Sequence, residues 1–332
     1  MAAGYLLKEA EYIDRPLSDD EMWSSFAYLF SSKSVNDTSY KYGFLKSILD
    51  NLYNTNDKLI LDFDQLFLKF AEIYWNLVLK HHILQKKPGK LNRQSELEKA
   101  LILGKEKYGI FEDIPFESLS NDMKKDICRR VKAKCKLNVV GALYADLGGL
   151  FYSFSRNEEW LQINPRMYEF VCKHKVAIEK LNYYEWAKFL ERVNEDSVVD
   201  HLLSKIDEST LRTRSSLAYY RDILFREFES KCFYCGKPVT KKSVEVDHFI
   251  PWSFIKDDQI WNFVLACPEC NNKKRDKLAQ VDYLNKISDR NEILIERNTI
   301  NRAEAAGRIK MIYNWAQKNG YNEIWTPKKV SV

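Results

Sequence analysis

Apolar residues recur at helical spacing through most of the N-terminal part of the chain. Met22, Phe26, Leu29 and Phe30 follow Ser18-Asp19-Asp20-Glu21, which reads as a capping box that opens a first helix. Tyr40, Phe44, Ile48 and Leu52 mark a second helix. Lys58–Phe63 alternates as a short strand would. Asp64 is then expected to cap a third helix, with Leu66, Phe67, Phe70, Tyr74, Trp75 and Val78 on its apolar face. The segments Leu150–Phe154 and Trp160–Ile163, separated at Arg156-Asn157, predict a β-hairpin, and Asn164-Pro165 starts another helix. Polar breaks at Asn194–Ser197 and Asp207–Thr210 suggest a boundary, followed by a helix over Thr210–Phe228 that carries Arg212, Arg214, Arg221 and Arg226. Beyond it, Ser243–Phe249 alternates Val244 and Val246 against Glu245 and Asp247, the pattern of a strand, which Pro251 ends. A short basic helix is expected from Cys267 into Leu278, and one or two further helices between Ile293 and Trp315. The pattern predicts an α+β chain, with a helix-rich domain over 1–205 and a smaller domain over 206–332.

Composition narrows the classes. With 332 residues, 45% hydrophobic and 14% aromatic, the chain can bury a proper core and is not disordered. Lys+Arg 52 against Asp+Glu 47 gives a net charge of +5, which permits nucleic-acid binding without requiring it. The basic residues Lys124, Lys125, Arg129, Arg130, Lys132, Lys134 and Lys136 face only Asp122 and Asp126 in their stretch. That run suits phosphate contacts and a solvated helix face about equally. The opening MAAGYLLKEAEYIDRP lacks the apolar core of a secretory signal. The greasiest stretch, Val139–Phe154, is interrupted by Asp146 and Gly148-Gly149, so neither export nor a membrane span is expected. His81-His82 is no metal site on this reading, because neighbouring helical residues point about 100° apart.

The chemistry concentrates in CFYCGKPVTKKSVEVDHFIPWSFIKDDQIWNFVLACPECNN, Cys232–Asn272. Cys232/Cys235 and Cys267/Cys270 are two CxxC pairs, each able to place two thiolates on one turn. Together they predict a tetrahedral S4 site for structural Zn2+. Gly236 and Pro268 supply turns suited to such knuckles. The other cysteines, Cys128, Cys135 and Cys172, are odd in number, which fits a reducing cytoplasm. Between the pairs stand Asp247-His248 and Asn262, with Asn271 just beyond.

These residues resemble the HNH endonucleases of the ββα-metal fold: an Asp-His at the end of the first strand, a central Asn, and a His or Asn after the second knuckle. The run VDHFIPWSFIKDDQIWNFVL is also similar to the HNH domain of RNA-guided CRISPR effector nucleases, although that domain lacks the four cysteines. The likeness covers about 50 of the 332 residues. Phosphodiester hydrolysis needs an activated water, neutralisation of charge on the phosphate and stabilisation of the leaving alkoxide. His248 suits the general base. Asp247 and Asn271 suit oxygen ligation of Mg2+ or another divalent cation, and Asn262 suits pinning the loop that carries His248. The resemblance implies a DNA endonuclease of the bacterial restriction or anti-phage type. A companion defence protein and a homodimer are the expected partners, the dimer because two sites cut a duplex most simply. The alternatives are an effector nuclease subunit activated by a partner or signal, and a catalytically silent zinc module that binds nucleic acid.

Overall fold

The computed structural model describes residues 4–86, 94–210, 217–300 and 308–327. The chain is α+β and divides into two compact units, Met1–Leu211 and Arg212–Val332.

The first unit contains helices α1 (Asp19–Leu29), α2 (Tyr40–Asp50), α3 (Phe63–Trp75), α4 (Glu96–Lys107), α5 (Asn121–Asp146), α6 (Pro165–Glu191), α7 (Asp196–Val199) and α8 (Leu202–Thr210). Strands β1 (Glu9–Ala10), β2 (Ile60–Asp62), β3 (Tyr152–Ser155) and β4 (Trp160–Ile163) form one antiparallel sheet in the order β1-β3-β4-β2. Ser18 and Glu21 make the expected capping box on α1, and the β3–β4 hairpin leads through Asn164 into α6 with Pro165 at its first turn. The cap of α3 is Asp62 rather than Asp64. The Asp62 side chain accepts from the Gln65 N–H, while Asp64 reaches Lys132 on α5. Aromatic rings fill the interior: Phe44, Phe67, Phe70, Tyr74 and Trp186 are buried and in mutual ring contact.

Among these rings lies a set of buried charges. Lys46 on α2 pairs with Asp50 and, at 2.8 Å, with Glu179 on α6. Lys69 on α3 pairs with Glu72 at 3.0 Å and donates to the Thr210 carbonyl at 2.9 Å, closing the end of α8. Leu202 and Ile206 on α8 are buried, and the helix packs on α3 and α6. This packing places α8 in the first unit, Met1–Leu211.

Part of the basic run on α5 is paired within the fold. Lys132 pairs with Asp64 and Glu159, Lys136 with Glu159, Arg130 with Asp126, and Lys134 lies 3.8 Å from Glu96. His81 and His82 face different carboxylates, Glu208 at 3.5 Å and Asp113 at 2.9 Å.

The second unit contains α9 (Ala218–Glu227), β5 (Glu245–His248), α10 (Trp252–Ile255), β6 (Phe263–Ala266), α11 (Pro268–Lys274), β7 (Leu278–Ala279), α12 (Val281–Glu296), α13 (Ile309–Lys318) and β8 (Ile324–Trp325). Strands β5 and β6 pair antiparallel, and β7 pairs parallel with β8. The helix expected over 210–228 is α9. Thr210 belongs to α8, and Arg212 and Arg214 lie outside the described residues. One helix of the expected Ile293–Trp315 pair starts earlier, at Val281. Residues 301–307 lie outside the described residues.

Removing one member of a buried ion pair leaves the others uncompensated, at a cost of about 3–5 kcal/mol. Lys46→Met should destabilise the first unit by that order, read as a lower denaturant midpoint in tryptophan fluorescence. Burial alone would raise the Asp50 carboxyl, but Lys46 and Lys69 hold it below its ordinary value. Its contribution is therefore present above the usual carboxylate range and lost as pH falls through the lower folded value. Acid unfolding of the variant should shift to higher pH.

Candidate functional site: a zinc-braced strand-strand-helix module

The two knuckles form at turns the sequence prescribes. Cys232-Phe233-Tyr234-Cys235 closes through the Gly236 N–H to the Cys232 carbonyl at 2.9 Å, with Gly236 at φ 74°. Cys267 caps α11, Pro268 follows at its first turn, and Cys270 comes one turn on. The Phe233 N–H donates to the Leu265 carbonyl at 2.8 Å, which fastens the first knuckle to β6. All four Sγ atoms lie within 4.8 Å of one another, and Cys235 and Cys267 are 3.8 Å apart. A tetrahedron with Zn–S bonds of about 2.3 Å has an edge of about 3.8 Å, so the donor set and its spacing fit zinc. Burial pushes the Cys232 and Cys270 thiols up. In Cys267 burial is outweighed by hydrogen bonds from the Cys270 N–H and the neighbouring thiols, and the thiol lies below its usual value. A bound dication would favour all four as thiolates.

Asp247 and His248 are adjacent on β5, and strand geometry sends them to opposite faces. His248 stands opposite Phe263 in the register, their rings 4.6 Å apart and edge to face. On that face Phe263 and Leu265 pack with Leu224 of α9, with Tyr220 and Val246 alongside. The His248 Nε2 atom lies 2.9 Å from Asp258 Oδ1, and both side chains are largely covered. Asp257 orders the loop that presents Asp258, its carboxylate accepting from the Asp258 N–H at 2.9 Å and the Gln259 amide at 2.6 Å.

The opposite face meets α11. Asp247 accepts a hydrogen bond from Tyr234 and pairs with Lys274 at 3.0 Å. Lys274 is fully buried and also donates to the His248 carbonyl at 2.7 Å. One step back on each element, the Asn271 amide donates to Glu245 at 2.5 Å. Burial, and then the Asp247 charge, hold the Tyr234 hydroxyl well above its usual range, so it remains a donor.

Asn262 is fully buried and grips the turn after His248. Its amide donates to the Ile250 carbonyl and its oxygen accepts from the Ile250 N–H, both at 2.8 Å, while its own carbonyl accepts from Phe249 N–H at 2.7 Å. Arg290 of α12 holds this turn from behind. Its guanidinium donates to the carbonyls of Phe263, Trp261 (2.9 Å) and Ile260 (3.3 Å), and Asn291 donates to Trp261 at 3.1 Å. Burial lowers Arg290 to about 9, which leaves it charged at neutral pH.

The structure thus brings His248 together with Asp258, Asp247 with Lys274 and Tyr234, Asn271 with Glu245, and Asn262 with the His248 loop. As they stand, Asp247 and Asn271 do not fit a divalent cation, because the carboxylate is neutralised by an ammonium and the Asn271 amide is turned to Glu245. Sequence reasoning missed Tyr234, Glu245, Asp258, Lys274 and Arg290. Glu245 at two residues before Asp247, and Lys274 at three after Asn271, are spacings that share a strand face and a helix face. Arg290 carries no such signal.

A two-stranded antiparallel sheet followed by a short helix, braced by four thiols, defines a zinc-knuckle ββα module. Residues 232–280 match the family model described as HNH endonuclease, which identifies this segment as an HNH endonuclease module and supports a nuclease; the rest of the chain lies outside the match. No curated protein and no solved structure matches the chain.

Cys232→Ser should release zinc and abolish the cooperative melt of the second unit, read by metal analysis and calorimetry, because a structural zinc site contributes its binding energy to folding. Arg290→Met removes one donor from each of three carbonyls, of which Trp261 keeps Asn291 and Ile260 keeps the Phe263 N–H. It should cost about 3 kcal/mol in denaturant unfolding while zinc content stays at wild-type level.

Proposed function

We propose that the chain is a metal-dependent HNH endonuclease that hydrolyses phosphodiester bonds in DNA, in a bacterial restriction or anti-phage setting. The observation that carries this reading is the His248 imidazole held against Asp258 within the segment that matches the HNH family. A proton on Nε2 donated to Asp258 leaves Nδ1 as the basic nitrogen, fixed in direction and able to take a proton from an attacking water. Phe263 limits the tilt of the ring and Asn262 limits the path of the backbone that carries it. Mg2+ or another divalent cation is the cofactor the family implies, and it would supply positive charge at the phosphate. As they stand, Asp247 is engaged by Lys274 and Asn271 by Glu245.

The first unit would supply target choice, regulation or dimer contacts, with a companion defence protein as a further partner in a cytoplasmic setting. Among the described residues no helix is long and apolar enough to cross a membrane.

Incubation of the full chain with plasmid, with and without Mg2+ and chelator, tests the reading. Wild type should cut in a metal-dependent way, and His248→Ala should lower the rate by about 10²-fold or more while binding DNA and melting as wild type does. Cleavage by His248→Ala at the wild-type rate would reject the assignment of the base. Absence of cutting by the wild-type chain alone, appearing only with a neighbouring gene product, would mark it as an effector subunit.

A further inference from the structure

The carboxylate expected to hold a divalent cation already has a cation. Lys274 Nζ lies 3.0 Å from Asp247 Oδ2 and 3.4 Å from Oδ1, Tyr234 donates to Oδ2, and neither Asp247 nor Lys274 is appreciably exposed. We infer that Lys274 is an internal counter-ion that competes with a divalent cation for Asp247, so that the free protein binds the ion weakly at this position.

Three observations support this. A buried carboxylate requires a compensating charge, and here the fold supplies it from α11. A dication brought to the same oxygens meets an ammonium at van der Waals range, and this repulsion is strong in a water-poor site. Lys274 also has a place to retreat to: its shortest contact is the His248 carbonyl at 2.7 Å, which it can keep while it releases Asp247. Lys274 is thus a positioning residue, acting on the ion through Asp247 and on His248 through the backbone. A phosphate group arriving at the site brings the negative charge that lets both cations remain. Cation and nucleic acid then bind with positive coupling, each raising the affinity of the other by the same factor.

The purpose of this arrangement rests on the metal-dependent nuclease reading, but its test does not require cleavage. Mn2+ binding to the full, zinc-loaded chain without DNA is measured by the paramagnetic resonance signal of free Mn2+. Lys274→Met is expected to bind Mn2+ about tenfold tighter than wild type, because it removes the competing ammonium, and Tyr234→Phe about threefold tighter, because it removes a hydrogen bond to Oδ2. Both gains should vanish when Asp247→Asn is added. Unchanged or weaker Mn2+ binding in the two variants overturns the inference, as does a gain that survives Asp247→Asn and so belongs to other oxygens such as those of Glu245. Should Lys274→Met fail to melt cooperatively, Lys274→Gln, which keeps a donor for the His248 carbonyl but carries no charge, decides in its place. A wild-type chain that never cuts DNA would end the nuclease reading and leave the Mn2+ result intact.

Discussion

Two residues that sit side by side on a strand cannot share a face, and the second unit is organised by that constraint. His248 turns toward α9 and a small apolar core; Asp247 turns toward α11 and a buried ammonium. The imidazole gains a carboxylate partner and an aromatic wall, and the carboxylate gains a lysine and a tyrosine. Lys274 joins the two faces, because the same ammonium that neutralises Asp247 also takes the carbonyl of His248. A change on one face is therefore felt on the other through the backbone of two residues.

The thiol site is tied to this arrangement by Tyr234, which lies between the two cysteines of the first knuckle and donates to Asp247. Zinc would thus fix a residue that touches the polar cluster directly, beyond holding two loops together. Support also comes from outside the family-matched segment. Tyr283 on α12 donates to the Tyr234 carbonyl at 2.9 Å, and Arg290 on the same helix holds the turn that contains Asn262. An arginine that satisfies carbonyls without any carboxylate partner in its fork is costly to bury, and the return is a fixed path for residues 260–263. The 232–280 segment on its own would lack both braces.

Local spacing carried much of this. Two CxxC pairs, an alternating segment ended by Pro251, and the capping box at Ser18 each report contacts within a few residues, and each appears where the pattern puts it. What could not be read were pairings between distant positions. Lys274 looked like one more charge in a basic helix, yet it is the buried partner of a residue 27 positions earlier. Asp64 looked like a cap because it precedes an apolar run, but Asp62 had the backbone geometry for capping, and Asp64 was claimed by Lys132, 68 positions away. Asp258 carries no signal of its own in the sequence, because its role depends on where the end of β5 brings His248.

The same long-range pairing bears on what the first unit can do. A run of seven basic residues against two acids suggests a phosphate-binding face only while its partners are unknown. On α5, Lys132 and Lys136 converge on Glu159, and Arg130 and Lys107 on Asp126, so part of that charge is paired within the unit while Arg129 and Lys134 stay largely exposed. Inside the unit, Lys46 and Lys69 are likewise matched by Asp50, Glu72 and Glu179. Charges held this way specify how helices from distant parts of the chain meet, since a misplaced helix would leave one of them buried and alone. The buried pairs therefore fix how the helices of the first unit meet, while the exposed cations of α5 stay at its surface.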